Sequence, residues 1–114
     1  MSNSVIAPAI LAENAEQYKE QVDKITGLVE RVHIDISDGE FAPTLTVGIP
    51  ELWAPEGWMI DIHAMVNDVA EYVPKLIALR PHMIIVHAEA TGDVKTALMQ
   101  IRQAGIMAGL ALLK

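Results

Sequence analysis

No cysteine occurs among the 114 residues, so neither a disulfide nor a thiolate ligand is available, and any metal must be held by histidine and carboxylate. Aromatic residues make up only 4% of a chain that is 52% hydrophobic. The apolar mass is therefore aliphatic, which suits buried parallel strands. Basic residues are also few. Eight Lys and Arg stand against 15 Asp and Glu, and the formal charge of -7 argues against nucleic acid and anionic membranes as partners. The same charge argues mildly against a phosphate site in this stretch. Long hydrophobic runs are lacking too: residues 5–12 are broken by Pro8 and residues 105–113 are too few, against the roughly 18 apolar residues of a membrane span. The opening Met1-Ser2-Asn3-Ser4 carries no basic region, so no secretory signal is expected and the cytoplasm is the expected location.

What is present is punctuated by Gly and Pro at the spacing of short loops. Residues 5–11 read as a first strand, followed by a helix that opens at Glu13-Asn14 and runs to about Ile25, with Ala15, Tyr18, Val22 and Ile25 at helical spacing. Gly27 stops it. Residues 29–36 form a second strand, with a long exit loop and a short possible helix over residues 50–54. Residues 58–63 form the third. Asn67-Asp68 can cap a helix whose stripe is Val69, Tyr72, Val73, Leu76 and Leu79. A fourth strand spans residues 83–87, and Thr91-Gly92-Asp93 opens a helix to Gln103 with Ala97, Leu98 and Ile101 inward. Gly105 ends that helix, and residues 107–113 are a fifth strand. Such alternation implies an α/β fold with a parallel sheet, in one domain over residues 1–114.

In such sheets chemistry gathers at the C-terminal strand ends. Val32-His33-Ile34-Asp35-Ile36-Ser37-Asp38-Gly39 sets a histidine and a carboxylate two residues apart, hence on one face of a strand, before an Asp-Gly turn in which Gly39 supplies positive φ. The device recurs in Ile60-Asp61-Ile62-His63-Ala64-Met65 and, more weakly, in Val86-His87-Ala88-Glu89. Neutral imidazoles and a carboxylate on adjacent strands make a partial site for Zn²⁺, Fe²⁺, Mn²⁺ or Co²⁺ with positions left open. Asp61 shares the face of His63 and either holds its imidazole or is solvated. His87 with Glu89 reads as structural or as a support to ligands. His82 precedes the fourth strand and belongs at the opposite end of the sheet. The Met residues, Met65 excepted, read as core filling.

These residues carry a resemblance. Pro8-Ala9-Ile10-Leu11, the His33 to Thr44 motif, the segment from Ile60 to Met65, and His87-Ala88-Glu89 together resemble the ribulose-phosphate 3-epimerase family over essentially all of the chain. The resemblance covers the first half of that enzyme. A complete barrel of this type needs about 250 residues. It therefore implies a TIM-barrel-type half-barrel, four βα units plus a fifth parallel strand. It further implies an isomerase of the pentose phosphate pathway that interconverts ribulose 5-phosphate and xylulose 5-phosphate by proton transfer at C3. His33, Asp35 and His63 carry over as ligands of a divalent metal, Asp35 also as the acid/base on one face of the sugar, and Met65 and Ala9 as substrate-binding positions. The family's second catalytic Asp and its phosphate loops lie on later strands. Within the half present, Ala9 replaces Ser, Ser37 replaces Met, Thr44 replaces Asn and Leu113 replaces Asn.

The resemblance thus implies a sugar-phosphate substrate, with epimerisation weak or absent in this half alone. A non-catalytic, self-associating half-barrel and one part of a split epimerase are the alternatives. Related decarboxylases carry a strand-three lysine motif, and Asp61-Ile62-His63-Ala64-Met65-Val66 has no lysine. Another phosphorylated ketose, such as D-allulose 6-phosphate, remains open as substrate. Because the strands are apolar on both faces and a half-barrel leaves edges unpaired, a homo-oligomer is expected, a dimer above all.

Overall fold

The computed structural model describes residues 8–39, 46, 48 and 52–112. Among these residues five strands form one sheet: β1 (Ala9–Ile10), β2 (Arg31–Ser37), β3 (Met59–Met65), β4 (Met83–His87) and β5 (Met107–Ala111). Each strand pairs in parallel with the next in sequence, so the spatial order is β1-β2-β3-β4-β5. This is half of a TIM barrel. Residues 5–7 of the expected first strand lie outside the described residues, as do Thr44 and Leu113.

Among the described residues three helices accompany the strands, α1 (Ala15–Ile25), α2 (Val69–Ala78) and α3 (Val94–Gln103). Each opens on a side chain that satisfies an otherwise orphaned backbone donor: Asn14 accepts from Gln17 N at 2.9 Å, Asp68 from Glu71 N at 3.1 Å and Asp93 from Thr96 N at 3.0 Å. Gly27 and Gly105 follow α1 and α3 with φ of 87° and 80°, the left-handed stop that glycine adopts without a Cβ clash. After α2 that conformation falls to Arg80, at φ 55°, with Pro81 next. Pro74 lies inside α2 and removes one helical hydrogen bond, but it faces solvent, where water can serve the freed carbonyl.

The β2–β3 connection differs from the sequence expectation. Leu52, Trp53 and Ala54 are not helical, while Pro50 and Glu51 lie outside the described residues. Pro55 disfavours helix in the residue before it, and Pro55 to Trp58 instead close a turn, Trp58 N donating to Pro55 O at 3.3 Å with Gly57 at φ 91°. Tyr18 of α1 ties this segment down by donating to the Trp53 carbonyl at 2.6 Å.

The period of two along the strands divides the molecule into two faces. Val32, Ile34, Ile36, Ile62, Ala64, Ile84 and Val86 are buried on the face that packs against Tyr18, Val22, Val69, Val73, Leu76, Ala97 and Ile101 of the helices. Leu98 packs at the margin of this core, whereas Ala15 and Leu79, expected in the stripes, are exposed. The alternate strand residues form the inner face of the half-barrel. There stand Ala9, Arg31, His33, Asp35, Asp61, His63, Met65 and His87.

Candidate metal centre at the strand ends

Register brings the polar side chains together. Asp35 is paired with His63 across β2 and β3, and His33 lies one inward-facing position earlier on β2. His87 lies at the C-terminal end of β4, one inward-facing position beyond Ile85, the partner of His63. The three histidines therefore climb diagonally across β2, β3 and β4. That diagonal is the stagger that strand tilt creates in a barrel.

The contacts centre on one oxygen. Asp35 Oδ1 lies 3.1 Å from His33 Nε2 and 3.1 Å from His63 Nδ1. The His33 and His63 rings meet edge to face, with centroids 5.6 Å apart. One ligand atom from each of His33, Asp35 and His63 lies within 4.8 Å of the others, close enough for a single ion to touch all three. Two imidazole nitrogens and a carboxylate oxygen, with no sulfur, are a donor set for Zn²⁺, Fe²⁺, Mn²⁺ or Co²⁺. The residues fit such an ion, which leaves further coordination positions for water or substrate. All three side chains are only partly buried, so the site is open to ligands.

Burial holds the His63 imidazole below the usual histidine range, and the neighbouring His87 and His33 push the same way, while Asp35 opposes them. A neutral ring keeps one nitrogen lone pair, the form a metal requires. The second nitrogen of His63 is engaged as well, since Nε2 lies 2.7 Å from His87 Nε2.

Other sequence expectations sort by position. Ala9 stands beside His33 in the β1–β2 register, exposed on the inner face, and Met65 lies two residues beyond His63, partly buried on that same face. Ser37 is buried and organises the loop, its backbone N donating to Thr46 Oγ1 at 2.9 Å and its Oγ accepting from Gly39 N at 3.4 Å. Gly39 has the expected positive φ, 80°. Asp38 accepts from Asn67 N at 2.9 Å and so joins the ends of β2 and β3. His82 sits at the N-terminal start of β4, its backbone donating to Ile60 O at 2.7 Å.

Asp61 is a correction. It neither holds His63 nor faces solvent; Arg31 reaches its Oδ2 through Nε at 2.9 Å and a terminal nitrogen at 2.8 Å, in a place where Asp61 is 4% exposed. The sequence reading missed Arg31 altogether. A charged residue opening a strand whose inward positions are polar was the available signal, but its partner lies 30 positions away and only strand register reveals it.

The family model for the ribulose-phosphate 3 epimerase family matches residues 5–114. The chain belongs to that family. Over 110 residues it is 31% identical to ribulose-phosphate 3-epimerase of Mycobacterium tuberculosis, an alignment that covers 94% of this chain and 48% of that one. The Bacillus subtilis ribulose-phosphate 3-epimerase is 32% identical over 111 residues, with 94% and 51% covered, and that of Chlamydia pneumoniae is 37% identical over 83 residues, with 70% and 36% covered. The chain thus spans about half the length of the curated relatives it matches. As an epimerase-family half-barrel it contains, among the described residues, no helix long and apolar enough to cross a membrane.

Proposed function

We propose that this chain supplies one half of a metal-dependent ribulose-phosphate 3-epimerase site. The observation that carries the reading is the convergence of His33, Asp35 and His63 at the C-terminal strand ends, within 4.8 Å, in a chain of that family. His33 Nε2, an Asp35 oxygen and His63 Nδ1 would hold a divalent ion, Zn, Fe, Mn or Co. When bound, that ion supplies positive charge to offset the negative charge that develops on the sugar oxygen during proton abstraction.

Asp35 does the proton chemistry. Its Oδ1 faces the two nitrogens that would hold the ion and would itself meet that ion, which leaves Oδ2 to take the C3 proton of ribulose 5-phosphate from one face. Partial exposure of the carboxylate keeps that oxygen reachable. Ala9 and Met65, flanking the cluster on the inner face, line the sugar. Inversion at C3 needs a second acid/base on the opposite face, because one group returns the proton to the side it came from. Asp61, the other acid that faces inward from the described strands, is paired with Arg31 and does not supply it, and the acidic balance of the chain gives the substrate phosphate little to bind. Both come from further barrel strands, whether on the same or on another polypeptide. The same reading places the chain in the cytoplasm and the pentose phosphate pathway.

The test is an epimerase assay with ribulose 5-phosphate and added Mn²⁺, Fe²⁺, Co²⁺ or Zn²⁺, on this chain alone and mixed with the remaining strands of a family barrel. Alone, turnover is expected far below the roughly 10 per second of an ordinary enzyme. The mixture should gain metal-dependent activity that Asp35→Asn abolishes. An inactive mixture of two folded halves, or full activity in Asp35→Asn, contradicts the proposal.

One observation favours a second reading, a non-catalytic half-barrel that associates with its own kind. At the edge of the described sheet β5 exposes Met107 (57%) and Leu110 (53%), and an open strand edge with apolar side chains invites pairing. Light scattering on the same samples separates the two readings. A homodimer that neither binds metal nor gains activity from the other strands would favour the second.

A further inference from the structure

The two nitrogens of His63 have different neighbours. Nδ1 lies 3.1 Å from Asp35 Oδ1, the oxygen that His33 also reaches, and Nε2 lies 2.7 Å from Nε2 of His87. The His63 and His87 rings are inclined by 24° with centroids 4.8 Å apart. Rings stacked face to face keep their atoms at about 3.5 Å or more. Nitrogens at 2.7 Å therefore meet edge to edge, at the distance of a hydrogen bond. One nitrogen must donate and the other accept, so the tautomers of the two rings are locked to each other. His87 is 5% exposed, and a ring so enclosed cannot turn aside to exchange this bond for one to water.

A carboxylate oxygen only accepts, so without an ion His63 donates from Nδ1 to Asp35. Its Nε2 then carries a lone pair, and His87 is the donor. A nitrogen that ligates a metal must present a lone pair instead. We propose that His87 is a positioning residue which fixes the tautomer of His63 through the Nε2–Nε2 hydrogen bond, and that both rings change tautomer together when an ion is taken up at Nδ1. This rests on the reading of His33, Asp35 and His63 as ligands.

The protons balance. His63 gives its Nδ1 proton to water and takes the Nε2 proton of His87 across the hydrogen bond, so that its Nε2 now donates, while His87 takes a proton from water at Nδ1. His87 Nε2 becomes the acceptor, and its own proton stands on Nδ1, 3.9 Å from Glu89 Oε1. Each imidazole holds one proton before and after. Partners of this kind, which hold the far nitrogen of a ligating histidine, are typically worth about 10- to 100-fold in metal affinity.

The experiment is Zn²⁺ titration of the ¹⁵N-labelled full chain, with long-range ¹H–¹⁵N spectra to read imidazole tautomers, on the wild type, His87→Ala and His87→Gln. The metal-free wild type should show His63 protonated at Nδ1 and His87 at Nε2, and saturating Zn²⁺ should reverse both. His87→Ala should bind Zn²⁺ about 10- to 100-fold more weakly, and His87→Gln, whose amide can accept or donate, should recover most of the loss. A His87 tautomer that saturating Zn²⁺ leaves unchanged, or a His87→Ala affinity equal to wild type, overturns the inference. A wild type that takes up no Zn²⁺ removes the metal reading instead, and the metal-free tautomers then decide the His63–His87 bond by themselves.

Discussion

Val73→Asp is expected to remove a large share of the stability of the fold. Val73 is 0% exposed on the stripe by which α2 meets the sheet, beside Val69 and Leu76 in the same buried cluster. The substitution forfeits about 1.5 kcal/mol or more of apolar burial and places a carboxylate where no cation waits among the described core residues. The sum is about 4 kcal/mol, against a total stability of about 5–15 kcal/mol for an ordinary domain. The neighbouring residue gives the internal control. Pro74→Ala restores a helical hydrogen bond on the exposed side of α2 and should raise stability. Urea unfolding followed by circular dichroism reads both. Equal midpoints for Val73→Asp and wild type would place the buried stripe on the wrong side of α2.

Arg31→Met should destabilise the fold by about 3 kcal/mol, the lower end for a broken buried pair, because the Arg31 side chain keeps some contact with water. Its loss leaves the Asp61 carboxylate buried without the two charge-assisted bonds it now accepts, and Asp61 Oδ1 already has no hydrogen-bond partner among the described residues. Adding Asp61→Leu should recover more than half of the loss, since removing both charges removes the uncompensated one. If the double variant is less stable than Arg31→Met alone, the pair is not the reason Arg31 matters.

These two substitutions mark where the fold was legible and where it was not. The stripe of α2 could be read because Val69, Val73 and Leu76 follow the helical period and Asp68 supplies the cap, both local facts of sequence. β4 could be read to the residue, Met83–His87, since a short aliphatic run after Pro81 has few other uses. Local patterns did not reach the β2–β3 connection, where Pro55 and the Tyr18–Trp53 contact override a weak helical signal. At the centre, His33 and Asp35 were legible as a pair because strand periodicity puts both on one face. Their meeting with His63 was expected from adjacent strands. What no local pattern contains is the register offset between β3 and β4, and it is this offset that sets His87 against His63 and not against Met65 alone. The Arg31–Asp61 pair was hidden for the same reason.

Direct titration of the purified chain with Mn²⁺, Co²⁺ and Zn²⁺, alongside His33→Ala and His63→Ala, bears most closely on the claim that His33, Asp35 and His63 are a metal centre. One ion per chain is expected, at roughly micromolar affinity or weaker for three protein ligands, with most of the uptake lost in each variant. Uptake that is unchanged in both variants would contradict the assignment of the site.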